Sequence, residues 1–280
     1  MTSGAPDPLP RASRLLLAGA GVALVFTGLG FFLLPEYAAE NFPWHVSPFV
    51  AMTIGGWTLG AGMMALDAIR GGSVTRFRPV ILALWAFALL ELIVVGASLG
   101  ALRTDHWLTW PYLLAMVLGL ASAIAGAPFL LRSEVGARTT DDDDEPMPSW
   151  MRLVFVTFTI VAGGLAIAAL VLDVSNGRVV PEPLTPFSAR AFAAFLGALA
   201  VGTLPLLVSR SAAPGVEYAR AGLYPIALIL AAAVILSDAF DFGARPGGLV
   251  YIGAYIVAAL VALAILVWYR RLTGTPIWRR

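Results

Sequence analysis

A chain of 280 residues that is 59% hydrophobic and only 12% charged cannot clothe a water-soluble core, since soluble domains run at roughly 45–50% apolar and about 25% charged. Its mean hydropathy of +0.85 and formal charge of +1 also exclude a disordered chain and give no electrostatic footprint for nucleic acid. The absence of cysteine removes disulfides, thiolate metal sites, cysteine-held iron–sulfur clusters, c-type haem attachment and thiol catalysis together.

A membrane-crossing helix needs about 20 apolar residues at 1.5 Å each. Eight segments qualify, near residues 15–34, 48–69, 79–99, 111–131, 152–172, 186–208, 222–240 and 249–268. The first follows Arg11 and Arg14 as a signal peptide would. Its apolar run is longer than the usual ~7–15 residues of such a peptide, so it is expected to stay as a span. Continuous runs such as LLLAGAGVALVFTGLGFFLL lack the alternation of barrel strands, so the fold class is all-α, a polytopic integral membrane protein of eight transmembrane helices.

Every basic residue is Arg, and with the N-terminus inside all of them except Arg103, Arg178, Arg190 and Arg245 fall on the internal side. The positive-inside rule then places both termini in the cytoplasm. Arginine in place of lysine, with abundant Ala, Gly and Pro, reads as a GC-rich bacterial coding bias, so the expected location is a bacterial cytoplasmic membrane.

The chain carries an internal repeat. Pro43 to Phe49 before the second span resembles Pro181 to Phe187 before the sixth, at an offset of 138. Tyr112 and Arg132 match Tyr251 and Arg271 at 139. The division is a first four-helix repeat over 1–132, an acidic cytoplasmic linker over 133–151 containing Asp141 to Asp144 and Glu145, and a second repeat over 152–280. Four spans per repeat give both halves one orientation, related by an axis along the membrane normal. The acidic run reads as a solvated, self-repelling linker.

In the repeated element Ser47 and Thr185 are suited to cap the second and sixth spans, with Pro48 and Pro186 at the first helical position. Both helices then start at the outer face, where free N–H groups and partial positive charge can hold an anion. Capping alone also explains the pattern, since it needs no ligand.

Glu91 lies twelve residues into the third span, about 18 Å from its cytoplasmic end. An ionised carboxylate there costs at least ~2.5 kcal/mol and calls for a partner. Arg190, four residues after Pro186, is the expected one. Its repeat counterpart is Met52, and that of Glu91 is Ile229 or Leu230, so each half would supply one charge to a site near the pseudo-axis. A structural ion pair, or an acid held by a helix–helix hydrogen bond, is the alternative. Asp67 is expected to pair with Arg70 or another base of the Arg70 to Arg78 loop.

At the outer surface His45, His106 and Asp105 are candidate metal ligands or a pH sensor, but they lack the spacing of known zinc motifs. Their neighbours Trp44, Trp107, Trp110 and Tyr112 fit an interfacial aromatic belt. No span interior holds a histidine for haem, and no cofactor is expected. Gly56 and Gly60, Gly96 and Gly100, and Ala115, Gly119 and Ala123 have the spacing of close helix packing. Pro128, Pro205 and Pro225 should kink or interrupt their spans.

No GxSxG, P-loop, dinucleotide fingerprint or paired zinc ligands are present. The function expected is therefore a carrier or binder of a small anionic or amphiphilic solute between the repeats, in contact with the lipid bilayer and no nucleic acid. Glu91, Arg190, Ser47 and Thr185 would be the binding residues. The alternatives are a non-catalytic membrane scaffold or assembly subunit and, third, a membrane enzyme built on the outer histidines and carboxylates.

Overall fold

The computed structural model describes residues 8–136, 145–171 and 182–274. Among these residues the helices are α1 (Arg11–Leu33), α2 (Pro35–Asn41), α3 (Pro48–Arg70), α4 (Val74–Ala97), α5 (Thr109–Gly136), α6 (Ser149–Val171), α7 (Pro186–Val208), α8 (Ala213–Ile235) and α9 (Gly247–Thr273). All except the short α2 are long and apolar enough to cross a membrane, which is the polytopic helical architecture expected. The acidic run Asp141 to Asp144 lies outside the described residues, while Glu145 is exposed.

The boundaries follow local chemistry. α7 begins at Pro186 because Thr185 accepts the N–H of Ser188, and α3 begins at Pro48 because Ser47 accepts that of Val50. The expected span at 222–240 is misplaced, because α8 begins nine residues earlier, at Ala213. Hydropathy steered the span away from Glu217 and Arg220, yet both lie inside the helix, where Arg220 is bonded to Glu217 and Asp67. α4 also starts early, at Val74, which places Glu91 six residues, or about 9 Å, from its far end rather than near mid-membrane.

Short connections alternate the helices, so their ends form two faces. One face carries exposed arginines, among them Arg11, Arg70, Arg76, Arg152, Arg210 and Arg270. The other holds α2, Trp44, Trp107 and the starts of α3, α5, α7 and α9. At the basic face residues 145–147 are pinned to the α7–α8 connection, with Met147 N–H on Arg210 O and Ala212 N–H on Glu145 O.

α3, α4, α7 and α8 form the inner layer: α3 packs on α8, and α4 on both α7 and α8. α1 and α5 lie on one side of it, and α6 and α9 on the other. In hydrocarbon, helix contact depends on how closely backbones can approach. A Cβ at Gly28 would stand 2.3 Å from Leu59 N, and one at Gly60 would stand 2.6 Å from Pro225 Cα, so only glycine fits at these crossings. The α1–α5 seam adds Ser13 and Ser122, which hydrogen-bond each other's hydroxyl and carbonyl groups. Gly96 and Gly100, expected to pack, have nothing within 4 Å; Gly100 lies in a 3₁₀ turn beyond the end of α4. The prolines do not interrupt their helices: α5 runs through Pro128, α7 through Pro205 and α8 through Pro225, whose ring fills the notch left by Gly60.

Candidate functional site

The two capped helix starts come together at the aromatic face. A pocket of about 170 Å³ lies between the N-termini of α3 and α7, walled by His45, Val46, Ser47, Val50, Pro183, Leu184, Thr185 and Ser188. This is near the ~150 Å³ that accommodates a benzene-sized molecule. The Thr185 hydroxyl donates to Ser188 Oγ at 3.0 Å, and Trp44 Nε1–H donates to the same oxygen at 3.0 Å. At the other helix start the Ser47 hydroxyl donates to the Glu182 carboxylate. Trp44 is 1% exposed and stacks on Phe187 with ring centroids 4.1 Å apart, which holds the indole behind Ser188.

Glu91 is 2% exposed and is not paired with Arg190. Its carboxylate accepts a 2.8 Å hydrogen bond from Tyr112 Oη on α5, and the Tyr112 ring meets Trp44 edge-on at 5.7 Å. Arg190 is exposed and donates to Ser98 Oγ at 2.9 Å, just past the end of α4. Seven residues of helix, about 10 Å, separate Ser98 from Glu91, and a side chain anchored at the helix end does not bridge that depth. Glu91 therefore reaches the pocket through Tyr112 and Trp44, while Arg190 stays at the surface.

Of the metal candidates, His106 Nε2 and Asp105 Oδ2 are 3.4 Å apart and His45 lines the pocket. Among the described residues no group of three metal-ligating side chains forms. No family model, curated protein or solved structure matches the chain.

A second charged cluster lies toward the basic face. Arg220 Nη2 stands 2.5 Å from Asp67 Oδ2 and 2.7 Å from Glu217 Oε2, with its guanidinium over the Phe77 ring. Tyr224 Oη adds a 3.4 Å contact to Asp67. Sequence reasoning did not reach Arg220 as a partner for Asp67. It also passed over Ser188, although that residue stands three positions after a predicted cap, where a capped N–H must lie. Tyr112 was visible only as a repeat match and a belt residue.

Chemically, the pocket lining combines the hydroxyls of two helix starts with the apolar side chains of Val46, Val50 and Leu184. That combination suits a polar or anionic head joined to an apolar body.

Proposed function

We propose that this multi-pass membrane protein binds or carries a small amphiphilic anion, taken up in the pocket between the starts of α3 and α7. The observation that supports the reading is that one of these two N-termini already holds a carboxylate, that of Glu182 on Ser47, while the other presents Thr185 and Ser188. Glu182 is then a resident stand-in that an external carboxylate displaces. Ser47 and Thr185 are the contacts, Arg190 is a surface charge on the same helix start, and Glu91 acts behind the pocket by anchoring Tyr112 against Trp44.

The same reading takes the chain as two four-helix repeats in a bacterial cytoplasmic membrane, with both termini inside. In its favour, equivalent helices pack alike: α1 on α3 as α6 on α7, α4 on α5 as α8 on α9, and α3 on α8 as α7 on α4. Trp57 and Phe195, 138 residues apart, stack in parallel across the centre at 4.3 Å.

The test is binding and uptake of hexanoate by the full chain in lipid vesicles. Ser188→Ala and Thr185→Ala should weaken binding roughly tenfold or more, as expected for a lost hydrogen bond to a charged group, and Glu182→Gln should strengthen it by removing the competitor. No saturable binding, or equal affinity in all variants, defeats the reading. A scaffold role is the second reading, favoured by the internal satisfaction of Glu91 by Tyr112 and of Asp67 by Arg220. It is supported if these variants change unfolding alone.

A further inference from the structure

Buried polar groups in these helices nearly all have a bonding partner. The hydroxyls of Thr27, Thr58 and Thr203 return to carbonyls of their own helices, and Thr109 bonds to Arg103 O. The buried indoles of Trp44 and Trp85 donate to Ser188 and Ser122. Tyr112 and Tyr218 donate to Glu91 and to Leu199 O.

Three exceptions share one place. Thr53 Oγ1, Trp57 Nε1 and Tyr251 Oη are buried without a hydrogen bond. Thr53 is 0% exposed and Trp57 1%, one turn apart on α3. Tyr251 and Tyr255 are one turn apart on α9, with ring centroids 4.9 Å apart. Tyr251 faces Thr53, and Tyr255 faces Trp57, near enough to interact without good bonding geometry for the three orphaned atoms. The four groups form a buried polar cluster between α3 and α9, about 6–14 Å from the aromatic ends of the two helices.

The sequence explains why the cluster exists. At the 139-residue offset Tyr251 corresponds to Tyr112, but Leu230 stands where Glu91 would supply the acceptor. Unpaired polar groups are costly in hydrocarbon, so a ligand that pairs them is strongly favoured.

We infer that this cluster is a binding site, separate from the α3–α7 pocket, for the carbonyl oxygens of an uncharged amphiphile entering from the membrane. An indole N–H can only donate, so the ligand must present an acceptor at Trp57, and the three neighbouring hydroxyls can donate as well. Among the described residues no carboxylate, guanidinium or imidazole is bonded to any of the four, so a neutral head is selected. Trp57 lies flat on Phe195 and the rings of Phe49 and Tyr251 meet edge to face, so the surroundings of the four groups are aromatic. α9 packs extensively on α8 alone and touches α6 through Trp150 and Trp268 near the basic face, so the cluster lies one helix from lipid. The carbonyl could belong to a quinone or to a glycerolipid ester.

The experiment titrates the full chain in nanodiscs with decylbenzoquinone, following tryptophan quenching, with a short-chain diacylglycerol as competitor. Saturable quenching that diacylglycerol does not displace identifies a quinone site; displacement identifies an ester site. In either case Thr53→Val, Trp57→Phe and Tyr251→Phe should each weaken binding roughly tenfold. Without ligand, Tyr251→Phe and Thr53→Val should leave the unfolding midpoint unchanged or raised, because each removes an unpaired group. The inference is overturned if neither probe binds saturably, if the variants bind as the parent does, or if Tyr251→Phe destabilises as much as Tyr112→Phe.

Discussion

The two flanks of the bundle are built to different tolerances. On the α1–α5 flank, backbones approach through glycines: Gly28 lies against Leu59, Gly55 against Phe31, and Gly126 against Ser13 and Trp85. On the α6–α9 flank a Cβ at Gly163 would meet Ala200 Cβ at 3.8 Å, and one at Gly253 would meet nothing. The most apolar stretch of α1 is 44% buried inside the protein and that of α6 only 17%. With no hydrophobic drive between helices in lipid, close approach and hydrogen bonds decide which flank is locked. The first flank is a clamp, and the second leaves polar groups and helix faces available, so ligand-dependent change is expected there.

The sharpest way to break this comparison is to spoil the clamp. Gly28→Ala puts a methyl group into the Leu59 backbone and should cost about 3 kcal/mol or more, seen as a large drop in the unfolding midpoint in detergent. A midpoint within error of the parent would mean that the α1–α3 contact is not tight. Next in size is the bond between Glu91 and Tyr112. Glu91→Leu strips Tyr112 of its acceptor and should cost about 1–3 kcal/mol, and adding Tyr112→Phe should recover most of the loss, since removing both partners of a buried bond is nearly neutral. Smaller still, Trp268→Ala removes the edge contact with Trp150, 5.5 Å between centroids, and should cost about 1 kcal/mol. A larger loss would show α6 and α9 to be more firmly joined than their packing indicates.

The features written in one dimension were legible. Apolar runs placed the spans except that of α8, and the Thr185–Pro186 pair placed the start of α7 to the residue. The offset between Pro43–Phe49 and Pro181–Phe187 pointed to Ser47 and Thr185, and the fold brings both into one pocket. What failed depends on direction around a helix and on neighbours far apart in the chain. Charge and the repeat register point Glu91 to Arg190, whereas α4 also packs against α5 and the side chain faces Tyr112 there. Arg220 falls outside the expected span at 222–240 because a charged residue lowers hydropathy whether or not a carboxylate waits for it across the interface. The orphaned groups have a trace in the sequence, a tyrosine at 251 matching Tyr112 with Leu230 at the offset position of Glu91, but the trace acquires meaning only once Thr53 and Trp57 are known to lie opposite.

The smallest expected effect is the most discriminating for the looser flank. Gly163→Ala places its methyl at ordinary contact distance from Ala200, and Gly253→Ala places one in open space. Alanine also removes the entropic cost of glycine in a helix, about 0.5–1 kcal/mol. Each variant should therefore leave the unfolding midpoint unchanged or raise it slightly, under the same detergent conditions in which Gly28→Ala collapses it. If Gly163→Ala instead destabilises the protein as Gly28→Ala does, the α6–α7 contact closes in the membrane as tightly as α1–α3. The asymmetry between the flanks would then be lost, and lipid access to the α9 side would lose its structural basis.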